Sequence, residues 1–162
     1  SVIENFHKAD LVQALTRDQV DVLHLATHAS FNGRSDRAFI VANGEMILLS
    51  ELRTILAQNR TRGGELDLLV LSACETAVGD DEASMGLAGA AVQAGARSVI
   101  ASLWPVSDTG TSQLMKTFYD YYRGGRSKSV ALRDAQLSMI ESGGMNANPN
   151  VWAAFTLLGA WR

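Results

Sequence analysis

Cys74 closes the apolar run Leu68-Leu69-Val70-Leu71-Ser72-Ala73, and His28 closes an earlier run of the same kind, Asp21-Val22-Leu23-His24-Leu25-Ala26-Thr27. A thiol and an imidazole are the two halves of nucleophilic cysteine chemistry, because a neighbouring base favours the reactive thiolate. A lone cysteine is more often a small apolar filler of a core. Its position here argues otherwise. The chain turns polar and glycine-containing from Glu75 to Glu82, and His28 is followed by Ala29-Ser30-Phe31-Asn32-Gly33, so each residue stands where a strand opens into a solvated loop. Buried parallel strands read as near-continuous apolar runs, and open α/β sheets place their ligand sites outside the carboxyl ends of such strands. Two neighbouring strand ends would then offer a nucleophile and its base.

The elements that must position this pair follow from hydrophobic pattern, which alternates between strand-like runs and helical periodicity as in sheets built from crossover units. Leu11, Val12 and Leu15 give a short helical face before the His28 strand. A polar loop runs from Ser30 to Arg37. The segment from Ala38 to Leu48 reads as a hairpin about Asn43-Gly44, a pair that tolerates the positive φ angles of a type I′ turn. Ser50 is expected to cap a helix through about Gln58, and a loop at Thr61-Arg62-Gly63-Gly64 leads to the cysteine strand. A further helix, rich in Ala and Gly, is expected from Ser84 to Ala94, stopped by Gly95. Arg97 to Leu103 reads as a third buried strand ended by Pro105. Ser107 can cap the next helix, whose stripe of Leu114, Met115, Phe118, Tyr119 and Tyr122 has helical spacing and suits a core face. Gly124-Gly125 ends it, Leu132, Ala135 and Met139 mark another helix, and Trp152 to Leu158 reads as the last strand.

Composition bounds the rest. The chain has 162 residues, 47% of them apolar, enough for one domain with its own core and no metal or disulfide staples. Its single cysteine cannot form an internal bridge and no secretory signal opens the chain, so a cytoplasmic setting is expected. No apolar stretch is long enough for a membrane span. A net charge of −3 with dispersed basic residues offers no footprint for nucleic acid, which leaves protein or small-molecule partners. His24 and His28, four apart, would chelate a metal on a helix; on a strand they lie roughly 13 Å apart. No metal or other cofactor is therefore expected. His24 reads as a buried histidine or one backing the site from behind, and His7 as a surface residue. Asp80, Asp81 and Glu82 suit a helix N-terminus.

Residue order separates families of cysteine enzymes. Papain-like proteases and glutamine amidotransferases place cysteine before histidine, whereas here histidine comes first, by 46 positions, close to the caspase spacing but without the caspase signature around the cysteine. His24-Leu-Ala-Thr-His28, Leu71-Ser-Ala-Cys74-Glu-Thr76, Gly95-Ala-Arg-Ser-Val-Ile-Ala-Ser-Leu-Trp104-Pro-Val106, Ala131-Leu-Arg133 with Ala135-Gln136, and Trp152-Ala-Ala-Phe155 with Gly159 together resemble the CHAT domain, a caspase-like and separase-like family often found behind tetratricopeptide repeats. The resemblance runs in order over most of the chain. It implies a caspase-hemoglobinase-like three-layer sandwich with a mostly parallel sheet, and a dyad of His28 and Cys74. It also implies that the family's opening strands are missing, so that residues 1–162 form one domain incomplete at its amino end.

Members of the family usually have glycine after the histidine, and the N–H there joins that of the cysteine in an oxyanion hole. This chain has Ala29, which keeps the N–H but not glycine's freedom at positive φ. The implied hole, Ala29 with Cys74, thus requires an ordinary backbone at Ala29. Trp104 and Asp108 follow the third strand, where caspase-like enzymes build part of the substrate pocket, and are the substrate-binding candidates beside their plainer roles in packing and capping. In this clan an acidic cluster near the nucleophile can also attract a basic substrate side chain, a second use for residues 80–82. The expected activity is that of a cysteine endopeptidase on protein or peptide substrates, regulated by upstream repeats or partners. The alternative is a catalytically silent caspase-like interaction module, favoured by Ala29 and the missing strands; an acyltransferase or amidase with the same dyad ranks third.

Overall fold

The structure, a computed structural model, describes residues 2–17, 20–30, 39–61, 66–73, 89, 92 and 95–162. In chain order these give α1 (Lys8–Arg17), β1 (Val22–Thr27), β2 (Ala29–Ser30), β3 (Phe39–Ala42), β4 (Glu45–Leu48), α2 (Leu49–Thr61), β5 (Leu68–Ala73), β6 (Ser98–Ser102), α3 (Asp108–Arg123), α4 (Lys128–Ser142), a 3-10 turn (Gly144–Ala147), α5 (Pro149–Trp152) and β7 (Phe155–Gly159). Among these residues no helix is long and apolar enough to cross a membrane. The helix expected over Ser84 to Ala94 lies outside the described residues apart from Gly89 and Val92.

Side-chain alternation builds the layers. The main sheet runs β1-β5-β6-β7, parallel across its first three strands and closed by antiparallel β7. On one face, Leu25, Leu69, Leu71, Val99 and Ala101 pack with α1 through Leu11 and Leu15, and with α2 through Leu52, Ile55 and Leu56. On the other, Leu68, Val70 and Ile100 meet Leu114, Met115 and Phe118 of α3 and Leu132, Ala135 and Met139 of α4. Successive strand residues thus feed opposite cores, as a period of two requires. Each fully buried large side chain contributes about 1.5–3 kcal/mol, so this double burial outweighs the helices' intrinsic propensities in fixing the layers. The result is a mixed α/β fold with a mostly parallel sheet.

Local signals worked where they were chemical. Asn43 and Gly44 both adopt positive φ, 42° and 83°, in the hairpin that pairs β3 with β4. The Ser107 hydroxyl accepts from the Gly110 N–H and starts α3, and Gly124 caps its end. At Gly159 φ is 91° and an added Cβ would lie 2.4 Å from the Arg97 carbonyl oxygen, so only glycine fits there. Several boundaries differ from expectation, with α2 running on through Thr61 and Ser30 pairing in β2, and two of them have a clear local cause. Helix α2 starts at Leu49 and not behind a Ser50 cap, because the Glu51 carboxylate accepts from the Leu48 N–H, the reach-back half of a capping box. Trp152 closes the short helix α5 instead of opening the last strand, since the Asn148 side chain accepts from the Asn150 N–H with Pro149 in the first helical turn.

Candidate active site

Strand pairing sets the geometry of the carboxyl ends. β1 and β5 run parallel in unbroken register from Val22 opposite Leu68 to Thr27 opposite Ala73. His28 is the next residue on the first chain segment and is exposed. Cys74 is the next residue after the second and lies outside the described residues, as do Asp80, Asp81 and Glu82.

The second, three-stranded sheet holds His28 from its far side. The Val41 N–H donates to the His28 carbonyl at 2.8 Å, and the Thr27 hydroxyl donates to the Val41 carbonyl. One residue of β3 therefore holds both the Thr27 side chain and the His28 carbonyl. No sequence signal marked Val41; the two-residue strand β2 is too short to show a period.

Ala29 is buried in β2, opposite Ile40. The neighbouring bond from Val41 to His28 makes this a non-hydrogen-bonded pair, so the Ala29 N–H points away from β3. Asn5 and Asn43 are the non-glycine residues with positive φ among those described, and Ala29 is not one of them. Its backbone thus makes no demand that only glycine could meet.

Trp104 is half-buried against the second core, and its indole N–H donates to the Asn150 carbonyl at 2.9 Å, linking the segment after β6 to α5. Asp108 is exposed in the first turn of α3, a favourable site for a carboxylate. The structure therefore gives Trp104 a packing partner and Asp108 a place at a helix N-terminus.

His24 is the residue whose setting sequence spacing could not supply. It is half-buried on the α3 face of β1; its Nε2 lies 2.7 Å from Ser72 Oγ of β5, and its Nδ1 lies 3.1 Å from the Tyr119 hydroxyl of α3. Desolvation holds its pKa below the ordinary 6.5, and desolvation likewise raises that of Tyr119 well above the usual range. Burial thus favours the neutral form of both groups. His7 is exposed, with Nδ1 3.3 Å from Glu45 and Nε2 2.8 Å from the Asn43 amide. Among the described residues no group of three or more His, Cys, Asp or Glu is placed to hold a metal ion.

Comparison with known proteins bears out the resemblance read from the sequence. A family model described as the CHAT domain matches residues 2–160. Tetratricopeptide repeat protein 28 of Mus musculus is 33% identical over 95 residues, covering 57% of this chain and 4% of that protein. Its namesake in Homo sapiens is 33% identical over 76 residues, covering 47% of this chain and 3% of the relative. The chain thus spans a small fraction of the length of the curated relatives it matches, and both of those are tetratricopeptide repeat proteins by name.

Proposed function

This chain belongs to the CHAT domain family, and on that premise we propose that it is a cysteine endopeptidase with a His28–Cys74 dyad on a caspase-like sheet. The observation that carries the reading is the register of β1 and β5. Thr27 pairs with Ala73, so His28 and Cys74 follow directly from residues that are already neighbours across one ladder, about 4.8 Å apart. Imidazole beside thiol is the arrangement that makes a thiolate nucleophile.

In this reading the Cys74 thiolate adds to the scissile carbonyl carbon, and the N–H groups of Ala29 and Cys74 hold the resulting oxyanion. His28 takes up the thiol proton and passes it to the departing amine, leaving a thioester. Water, deprotonated by His28, then releases the acid and restores the thiol. The outward N–H of Ala29 and its ordinary backbone support its share of the hole. Trp104 and Asp108 flank the substrate in this proposal. Substrates are proteins or peptides, and tetratricopeptide repeats elsewhere in a longer chain regulate access to them, a role suggested by the names of the relatives.

A peptide carrying an electrophilic carbonyl group should label the protein at Cys74, with labelling and cleavage both lost in Cys74→Ala and reduced by on the order of a hundredfold or more in His28→Ala. Cleavage that persists in Cys74→Ala rejects the assignment. A silent interaction module is the second reading, favoured by the position of β1 at the edge of the main sheet among the described residues. A protein that binds peptides and leaves Cys74 unlabelled would select it.

A further inference from the structure

The trio of His24, Ser72 and Tyr119 has no part in the chemistry above, yet it joins the two candidate strands to α3 just behind their carboxyl ends. His24 stands four residues before His28, and Ser72 two before Cys74. On the α3 face of β1, Ala26, the next residue of the same parity, is already exposed. His24 is therefore the last side chain on that face of β1 that α3 covers before the sheet end opens.

Ordinary packing does not account for three polar groups here. Apolar side chains of similar volume would bury as well, without the desolvation cost that hydroxyl and imidazole carry. What hydrogen bonds add is direction. Apolar contacts let a strand slide or tilt at small cost, whereas a ring held at both nitrogens fixes its strand in position and rotation. β1 has a ladder partner on one side only among the described residues, so its end is where such a tie matters most. A neutral imidazole donates from one nitrogen and accepts at the other, and each hydroxyl can complement either choice. The chain Ser72–His24–Tyr119 is thus continuous in both tautomers.

We propose that His24, Ser72 and Tyr119 are positioning residues that hold the ends of β1 and β5 so that the His28 ring meets the Cys74 thiol, a role that rests on the dyad reading above. Tyr119 acts as the post. It is fixed by edge-on packing on Phe118, whose own ring is fully buried, with centroids 5.1 Å apart. Its hydroxyl sets the His24 ring, and the ring sets Ser72 on the neighbouring strand.

Because Cys74 is the chain's single cysteine, its alkylation by iodoacetamide across a pH series reads the thiol–imidazole pair without a peptide substrate. His28→Ala should slow alkylation at neutral pH and move the profile to higher pH. Tyr119→Phe and His24→Gln should move it the same way, with rates at neutral pH lower on the order of tenfold, since ångström-scale misplacement can cost about a hundredfold. Ser72→Ala should behave like them and Ser72→Thr, which restores a hydroxyl, should return the profile towards that of the unaltered protein. Profiles of folded Tyr119→Phe and His24→Gln that match the unaltered protein, while His28→Ala shifts, overturn the positioning role and leave the dyad standing. An unshifted His28→Ala overturns the dyad beneath it. Should Tyr119→Phe not fold, the contrast of Ser72→Ala with Ser72→Thr decides on the same measurement, equal profiles rejecting the proposal.

Discussion

Helix α3 is tied to the sheet at both ends of β5, at the amino end together with α4, by opposite chemistry. At the amino end the tie is ionic. The Asp67 carboxylate accepts from Lys128 Nζ at 2.7 Å and from the Tyr122 hydroxyl at 2.9 Å, with Arg97 3.8 Å away. Lys128 is only 1% exposed, and its ammonium also donates to the Asp67 carbonyl. At the carboxyl end the tie is neutral, from Ser72 through His24 to Tyr119. Tyr119 and Tyr122, three apart on one helix face, address the two ends. A buried charge left without its partner is costly, so the ionic end resists any change in its membership. A chain of neutral hydroxyls and imidazole breaks more cheaply but fixes direction. The tie that costs more to break thus lies at the amino end of the sheet, and the tie that fixes direction lies at the end that carries the candidate site.

The sharpest way to break this contrast is at Asp67. Asp67→Ala strands the Lys128 ammonium and should cost about 3–5 kcal/mol in urea unfolding. Lys128→Met should cost clearly less, because the Asp67 side chain is 31% exposed and can hydrate. Equal losses in the two variants would mean that the buried charge is not what dominates. Next in size is Tyr122→Phe. Burial first, and then the bond to Asp67, push the Tyr122 hydroxyl up to about 12, which keeps it a donor across the physiological range. Losing that charge-assisted bond should cost about 2 kcal/mol by the same assay; a loss under about 0.5 kcal/mol would remove Tyr122 from the ionic tie.

The neutral end predicts a smaller, pH-dependent effect. Burial lowers the His24 pKa from 6.5 in the folded chain, so below that value the unfolded chain binds the extra proton more readily. Its contribution to stability is full above about 6.5 and is lost as pH falls towards the folded value, with a slope of at most about 1.4 kcal/mol per pH unit. His24→Gln should flatten that part of the stability-versus-pH curve. A curve with the same slope in both proteins would assign the acid sensitivity to other groups.

Much of this architecture is legible in the sequence. The apolar runs gave β1, β5 and β6: β6 is buried at every position, as a near-continuous apolar run requires, whereas β1 is half-buried and keeps His24 in mid-run. Asn43-Gly44, Ser107 and Gly124-Gly125 announced their turns and caps through local backbone chemistry. Trp152 belongs to α5 and not to the last strand, because Asn148-Pro149 just before it is a helix start signal that the apolar residues after it mask in the sequence. The tyrosines of α3 read as core by their spacing, and Phe118 and its neighbours are core. The hydroxyls of Tyr119 and Tyr122 instead end on His24 and Asp67, 95 and 55 positions away.

By itself the sequence determined the α/β alternation, the family, and a histidine and a cysteine each ending an apolar run, because these depend on period, on local turn chemistry and on short motifs. Tertiary structure alone decided which residue backs which. Nothing local in the sequence names Asp67 as the partner of Lys128 or His28 as that of Val41, and His24 reads as a buried histidine or one backing the site, with Ser72 and Tyr119 as its partners given by the fold. A polar side chain's role is set by its partner, and partners drawn from distant stretches are chosen by packing, which no local pattern encodes.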